Sequence, residues 1–209
     1  MIDVRMKPYL ARLALLMTLA LACLGLAACQ HQDETAWRLV QVTGHMPDLD
    51  FHLTDDQGKP VSGKDYRGKV VLLYFGYTHC PDVCPLTLAQ LHVAMQRLGP
   101  VADNVRILFV SVDPARDTPD VMHAYVNAFD PRAIGLTGSP SDIEALSKRY
   151  RSAFTREPDK GDGNYEVSHS SAIYVFDQEG KARLLSTPNN PQSDMVHDLH
   201  LLIEPGTTP

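Results

Sequence analysis

Residues 70–85 read VVLLYFGYTHCPDVCP, which joins an apolar run to two closely spaced cysteines. The six apolar residues 70–75 predict a strand that is buried on both faces of a sheet. A helical pattern follows, with four apolar residues at intervals of three and four: Leu88, Leu91, Met95 and Leu98. Cys80 and Cys84 are therefore expected in the turn between a buried strand and a helix, where open α/β sheets commonly place their ligands.

Strands and helices alternate along the rest of the chain. Two hairpins are predicted, from 51–54 with 61–66 and from 171–176 with 182–186, and a second buried strand at 105–112. Each of four predicted helices has a proline at its start, and the residue before it is the expected N-cap: Cys84, Thr118, Ser139 and Asn190. We expect an α/β fold with a central mixed sheet and helices on both faces. The order of elements is that of a thioredoxin-like fold with an N-terminal β-hairpin and an added helix.

The composition fits a single folded domain and excludes one class of partner. The chain has 209 residues, of which 44% are hydrophobic and 21% are charged, so it can bury a real core. Beyond residue 28 it holds 16 basic and 24 acidic residues, a net charge of −8. Such an acidic chain is not expected to bind nucleic acid.

The N-terminus has the features of a targeting segment. Arg5, Lys7 and Arg12 precede an apolar run over 13–26, which is shorter than the about 20 residues of a membrane-spanning helix. The run ends in LAAC, which resembles a bacterial lipoprotein signal with Cys29 as the lipidated residue. An uncleaved anchor is the alternative, and both place the domain outside the cytoplasm, on the periplasmic side in a Gram-negative bacterium. We expect a signal peptide over 1–28, a lipid-anchored tether over 29–45, a folded domain over 46–203 and a C-terminal tail over 204–209.

Cys80 and Cys84 are more suited to chemistry than to structural support. A disulfide that closes so short a loop removes little entropy from the denatured chain. If Cys84 caps the helix, the backbone N–H groups and the helix dipole lower its pKa and favour the thiolate. The thiolate is both a nucleophile and a ligand for soft ions such as Cu(I) or Zn(II). Since two ligands make an incomplete zinc site, a third ligand is expected from elsewhere. His169, just before strand 171–176, is a candidate only if that strand ends beside the cysteines; otherwise it is one histidine among nine.

Three segments resemble the Sco/SenC family of copper-binding, thioredoxin-like proteins that assemble the CuA centre of cytochrome c oxidase. They are GYTHCPDVCP at 76–85, SVDPARDTP at 111–119 and VSHS at 167–170. The resemblance extends from about residue 46 to about residue 203. It implies that strand 171–176 runs antiparallel to 70–75, which brings His169 to the cysteines, and that Cys80, Cys84 and His169 bind copper. One departure is Ser168, where the family often has an aspartate, and it bears on copper affinity.

Other polar residues are candidates for a supporting role around this site. Strand 105–112 is followed by three charged residues, Asp113, Arg116 and Asp117. One interpretation is that they orient the metal ligands or a partner; the other is that they form a turn with an internal ion pair. His79 and Asp82 lie between or beside the cysteines, where they either tune the sulfurs or face water.

Two functions compete on this evidence. The first is a copper metallochaperone that holds Cu(I), Cu(II) or both and supports assembly of the CuA site of cytochrome c oxidase subunit II. The second is an extracytoplasmic thiol-disulfide oxidoreductase that reduces the CuA-site cysteines or another target. A peroxidase is disfavoured because no separate resolving cysteine is present, whereas copper sensing or buffering would share the same sequence features. His169 discriminates between the first two, because a dithiol enzyme does not require it.

Overall fold

The computed structural model describes residues 37–158, 161 and 165–204. The expected signal peptide over 1–28, the lipidation site Cys29 and residues 205–209 lie outside this part of the chain. Within the described part, no helix combines the length and the apolar character that crossing a membrane requires.

The described residues form ten strands and four α-helices. The strands are β1 (Val40–Gln41), β2 (His52–Asp55), β3 (Pro60–Ser62), β4 (Val70–Gly76), β5 (Val105–Ser111), β6 (Ala133–Thr137), β7 (Phe154–Arg156), β8 (Val167–His169), β9 (Ile173–Phe176) and β10 (Ala182–Ser186). The helices are α1 (Val83–Leu98), α2 (Pro119–Asn127), α3 (Pro140–Arg149) and α4 (Gln192–Ile203).

Eight of these strands build one mixed sheet, in the order β1-β10-β9-β4-β5-β6-β2-β3. β4, β5 and β6 are parallel neighbours, whereas β9 pairs with β4 in the antiparallel direction. The predicted α/β class, the N-terminal hairpin, which is β2 and β3, and the antiparallel direction of β9 are therefore confirmed. β7 and β8 form a separate two-stranded sheet.

Two apolar layers enclose the central strands. One layer is formed with α1, α2 and α4, and the other with α3 and the hairpin β2–β3. All seven residues of β4 are buried, as their apolar run predicted. The carboxyl end of β4, from which the cysteine loop leaves the sheet, is thus held firmly by the core.

Two of the four predicted helix caps are confirmed. The hydroxyl of Thr118 accepts a hydrogen bond from the N–H of Val121 at the start of α2. The hydroxyl of Ser139 accepts one from the N–H of Asp142 at the start of α3. In both helices proline is the first helical residue, as expected.

The other two caps are shifted from their predicted positions. α1 begins at Val83 with Asp82 as its N-cap, so the prediction that Cys84 caps this helix is wrong. The proline that follows Cys84 sits further inside the first turn, where helical N–H groups have no intrahelical acceptor and proline is tolerated. The N-cap of α4 is Pro191, because the side-chain oxygen of Asn190 closes the preceding turn instead.

Four short strands were not predicted, namely β1, β6, β7 and β8. β1 lies in the stretch expected to be a tether, yet it pairs with β10, and the neighbouring Leu39 is buried. The described fold therefore begins earlier than residue 46. β6 pairs on one side with β5 and on the other with β2, so it links the hairpin to the parallel strands.

Candidate metal centre

Cys80, Cys84 and His169 meet at the carboxyl end of β4. One ligand atom from each lies within 4.8 Å of the others. Cys80 belongs to the loop after β4, Cys84 to the first turn of α1, and His169 ends β8. The Sγ atom of Cys84 and the Nε2 atom of His169 are 3.2 Å apart. No other group of three histidine, cysteine or acidic side chains converges in this way within the described ranges.

The imidazole of His169 is oriented as a neutral ligand. Its Nδ1 lies 2.9 Å from the carbonyl oxygen of Ser170, which only accepts hydrogen bonds, so Nδ1 carries the proton. Nε2 is left unprotonated, and its lone pair faces Cys84, from whose thiol it accepts a hydrogen bond. The rings of Tyr74 and Tyr77 contact the imidazole edge-on, with centroids 6.1 and 5.8 Å away. Burial lowers the pKa of His169 below its usual range, which favours the neutral form that binds metals.

Cys84 is buried and protonated in the metal-free chain. The whole residue is 0% exposed, and its sulfur accepts a hydrogen bond from the hydroxyl of Tyr74 at 3.6 Å. Its backbone N–H donates to the sulfur of Cys80 at 3.5 Å. Burial raises the pKa of the Cys84 thiol to about 12, so the expectation of a lowered pKa is wrong. Removal from water outweighs the helix dipole here, and a metal ion must displace the proton of this thiol.

The packing of Cys84 depends on a glycine. A Cβ atom at Gly76 would lie 2.7 Å from the Cys84 sulfur and 2.6 Å from Cε2 of Phe109. Contacts this short do not occur. The sulfur of Cys84 can therefore take its observed position only because Gly76, the last residue of β4, has no side chain. The glycine directly after the apolar run is the sequence signal for this approach.

Asp117 anchors the start of the cysteine loop. Its carboxylate is fully buried and accepts hydrogen bonds from the backbone N–H and the hydroxyl of Thr78, at 3.1 and 2.6 Å, and from the hydroxyl of Ser111 at 2.6 Å. By contrast, His79 and Asp82 are exposed, and the side chain of Asp82 makes no capping hydrogen bond. The Nδ1 atom of His79 lies 3.1 Å from the Thr78 hydroxyl and 3.8 Å from the Asp117 carboxylate, so this exposed ring leans on the same anchor.

Asp113 and Arg116 form the internal ion pair that was one of the two alternatives for this turn. Asp113 is buried, and its second oxygen accepts a hydrogen bond from the hydroxyl of Tyr165 at 2.6 Å. Tyr165 lies shortly before β8. The turn after β5 is thus in direct contact with the segment that carries His169.

Several aromatic residues around the site were not identified from the sequence. Tyr74 lies in an apolar run that predicts only a strand, Tyr77 follows that run after Gly76, and Tyr165 is far from its partners in the chain. The hydroxyl of Tyr125 is buried and has no hydrogen-bond partner among the described residues, and its ring lies 5.6 Å from that of Phe109. Only the helical spacing of Tyr125 was visible in the sequence, and it predicts packing alone.

Comparison with known proteins agrees with this geometry. A model of the SCO1/SenC family matches residues 43–204. The relative "Protein SCO2 homolog, mitochondrial" from Bos taurus is 44% identical over 133 residues, which cover 63% of this chain and 50% of that protein. The chain thus spans about half the length of this relative.

Solved structures match the folded part of the chain. ScoI from Bradyrhizobium japonicum, with copper bound, is 39% identical with a TM-score of 0.68, covering 74% of this chain and 98% of that one. A SCO1/SenC family lipoprotein from Bacillus anthracis is 32% identical with a TM-score of 0.65, covering 75% and 95%. BsSco, a member of the Sco family of cytochrome c oxidase assembly proteins, is 27% identical with a TM-score of 0.60, covering 75% and 94%. Because the family model spans both cysteines, His169 and nearly all of the described fold, the chain belongs to the SCO1/SenC family.

Proposed function

We propose that this chain is a copper metallochaperone that binds copper through Cys80, Cys84 and His169 and supports assembly of the CuA centre of cytochrome c oxidase. The observation that carries the proposal is the convergence of two sulfur atoms and one imidazole nitrogen within 4.8 Å. The copper-bound ScoI from Bradyrhizobium japonicum and the description of BsSco as an oxidase assembly protein support it.

The ligand set suits copper chemically. Thiolates and imidazole bind Cu(I) well, whereas Mg²⁺ and Ca²⁺ require oxygen ligands. Two thiolates and a neutral imidazole carry two negative charges, which Cu(I) reduces to one and Cu(II) neutralises. Since the Cys84 sulfur is removed from water, its thiolate depends on such a cation for stabilisation. Copper binding therefore releases the Cys84 proton.

Anaerobic titration with Cu(I) against a competing chelator tests the proposed site. We expect one tightly bound copper per reduced chain, no tight binding after Cys80→Ser with Cys84→Ser, and weaker binding after His169→Ala. His123→Ala is the matched control, since His123 is half-exposed on α2 and pairs with Asp56 rather than with the site. If the wild-type chain does not compete for Cu(I), the metallochaperone proposal fails.

Transfer to the acceptor needs a separate measurement. The Cu(I)-loaded chain is mixed with the reduced, copper-free CuA domain of oxidase subunit II. Samples are oxidised at intervals with ferricyanide, which removes the one electron needed for the absorbing mixed-valence form, and the CuA absorption spectrum is recorded. We expect the spectrum to develop faster than with the same amount of copper held by the chelator. Equal rates would leave copper storage or sensing as the role of the site.

One observation also favours the second candidate, a thiol-disulfide oxidoreductase. Cys80 is partly exposed whereas Cys84 is buried, so an external disulfide meets Cys80 first. The Cys80 thiolate attacks that disulfide and releases one target thiol; Cys84 then attacks the Cys80 sulfur and releases the second. The target gains two electrons and the chain ends with a Cys80–Cys84 disulfide. With oxidised CuA domain as target, Cys84→Ser should trap a mixed disulfide at Cys80, and absence of any target reduction by the wild type would exclude this activity.

We further propose that the chain is a lipoprotein anchored through Cys29 on the outer side of a membrane. The LAAC tetrapeptide and the lipoprotein among the matching structures support this, although the Bos taurus relative is mitochondrial. Mass spectrometry of the chain from a Gram-negative host should show a diacylglyceryl group on Cys29 as the first residue. An unmodified chain that retains residues 1–28 would favour the uncleaved anchor.

A further inference from the structure

His169 reaches the cysteines on an element that lies outside the main sheet. In the described part of the chain β8 pairs with β7 alone, with His169 opposite Phe154 and Val167 opposite Arg156. Cys80 and Cys84, in contrast, follow β4 directly at the centre of the eight-stranded sheet. Within the described residues no strand pairing joins the two sheets. β9, which begins four residues after His169, pairs with β4 and ties the C-terminal side of the histidine to the main sheet. The N-terminal side of His169, in β8, must be held by other contacts.

Tyr165 makes several contacts on this N-terminal side, through three different parts of the residue. Its hydroxyl donates to Oδ1 of Asp113 at 2.6 Å, and its carbonyl oxygen accepts from Nη2 of Arg116 at 3.1 Å. The centroid of its ring lies 3.7 Å from the guanidinium carbon of Arg116 and 3.5 Å from that of Arg156. Arg116 also forms the ion pair with Asp113, so the three residues close a ring of interactions, which we call the clasp: Asp113, Arg116 and Tyr165.

The other end of the clasp is fixed to the strands that carry the cysteine loop. The N–H of Val112 donates to the carbonyl oxygen of Gly76 at 2.8 Å, which continues the β4–β5 pairing up to the residue before Asp113. The N–H of Asp113 donates to the hydroxyl of Ser111 at 3.0 Å. Nearer the ligands, the N–H of Val167 donates to the hydroxyl of Tyr77 at 3.3 Å. The clasp therefore connects the carboxyl ends of β4 and β5, where the cysteine loop begins, with the β7–β8 pair that carries His169.

We propose that the clasp positions His169, and that it determines whether copper is held by three ligands or by the two thiolates alone. This inference rests on the proposed copper function. Tyr165 precedes His169 by four residues, roughly 13 Å of extended chain, so it acts through the backbone of β8 and does not touch the metal. Tyr165, Asp113 and Arg116 are thus positioning residues.

The oxidation states of copper respond differently to such positioning. Cu(I) is a soft ion that two thiolates satisfy, whereas Cu(II) favours additional nitrogen or oxygen ligands. Loss of the clasp should therefore weaken Cu(II) binding more than Cu(I) binding. In this way a contact remote from the metal sets which oxidation state the site prefers.

The variant Tyr165→Phe removes the hydroxyl and keeps the ring. Tyr150→Phe is the matched control, because the buried Tyr150 hydroxyl donates to the carbonyl oxygen of Asp48 at 2.9 Å and accepts from the N–H of Asp50, away from the site. Both variants lose a tyrosine hydroxyl with a tertiary hydrogen bond. Only Tyr165→Phe should affect His169.

The first measurement needs no copper. In ¹⁵N NMR spectra of the reduced chain, the chemical shifts of the two ring nitrogens of His169 should differ strongly, since Nδ1 holds the proton. In Tyr165→Phe their shifts should move toward the averaged values of a free neutral histidine, and in Tyr150→Phe they should stay. If they also stay in Tyr165→Phe, the clasp does not position His169 and the inference is refuted, whatever the copper results are.

The second measurement compares copper affinities. Tyr165→Phe should lower Cu(II) affinity about 10-fold, the lower end of effects seen when a ligand loses its supporting contact, and should weaken the nitrogen hyperfine signal in the EPR spectrum. In a His169→Ala background, Tyr165→Phe should cause no further loss of affinity. Full additivity of the two substitutions would contradict the inference. If the wild-type chain binds no copper while the NMR shifts respond, the proposed function fails and the clasp is retained as the contact that places His169.

Discussion

The substitution Gly76→Ala adds one methyl group between the metal site and the core. Its Cβ atom would lie 2.6 Å from Cε2 of Phe109 and 2.7 Å from Sγ of Cys84, and both neighbours are 0% exposed. Ordinary contacts between carbon atoms are about 3.5–4.0 Å, so the neighbours must separate by about 1 Å. Neither can move toward solvent, so the sulfur of Cys84 or the strand itself must shift.

The size of both expected effects follows from this displacement. Overpacking a buried site typically costs about 1–3 kcal/mol, and with two tight contacts we expect the free energy of unfolding to fall by about 2 kcal/mol. Metal–ligand distances tolerate changes of only about 0.2 Å, which is less than the shift required of the sulfur. We therefore expect copper affinity to fall at least about 10-fold, equivalent to about 1.4 kcal/mol.

Gly135→Ala provides the control for general destabilisation. Gly135 is a buried glycine of β6, and a Cβ atom there would lie 2.8 Å from Cβ of Met122, on a strand that carries none of the ligands. Urea unfolding should show similar losses of stability for both variants, whereas the Cu(I) chelator titration should show lower affinity for Gly76→Ala alone. Wild-type affinity in Gly76→Ala, or an equal loss in Gly135→Ala, would refute the reasoning.

Three further predictions concern the thiols, the loop anchor and the histidine. Brief treatment of the reduced chain with iodoacetamide at neutral pH should modify Cys80 before Cys84, because burial shields Cys84 and raises its pKa; equal labelling in peptide mass spectra would contradict this. Asp117→Asn should lower the free energy of unfolding by about 2 kcal/mol through weakened charge-assisted hydrogen bonds, and amide hydrogen exchange at Thr78 should accelerate; unchanged Thr78 protection would count against the anchor. Burial lowers the pKa of His169, so the unfolded chain binds more protons below pH about 6.5, and the metal-free chain should lose stability as the pH falls through this range. Urea titrations should show that the free energy of unfolding depends less on pH in His169→Ala than in the wild type. The same dependence in both would disprove the contribution of His169.

The fold was largely predictable where the apolar signal was long. The runs that became β4 and β5 are buried on both faces, and such strands need no alternation to be recognised. β6 has only five residues and contains Gly135, so its signal was lost between two strong helical patterns. β1 has two residues and is held by pairing with β10, a contact that composition does not reveal.

The site was predictable in its ligands and less so in their surroundings. Cys80 and Cys84 are close in the chain, whereas His169 was linked to them only through the resemblance to a family. The contact between Asp113 and Tyr165 joins residues 52 positions apart, and no local pattern predicts it. The predicted direction of the Cys84 pKa shift was wrong. The helix begins before the cysteine, so burial rather than capping decides the protonation state of the thiol.

The unequal exposure of the two cysteines also imposes an order on any exchange of ligands. A cation held between them is closed off on the side of Cys84 by the packed interior, so an incoming thiolate from an acceptor approaches from the side of Cys80. If the chain hands copper on as proposed, the Cys80 bond would be replaced before the bond to Cys84. Hand-over would proceed through an intermediate in which the ion is shared between the acceptor and the innermost sulfur, so that the cation is never free in solution.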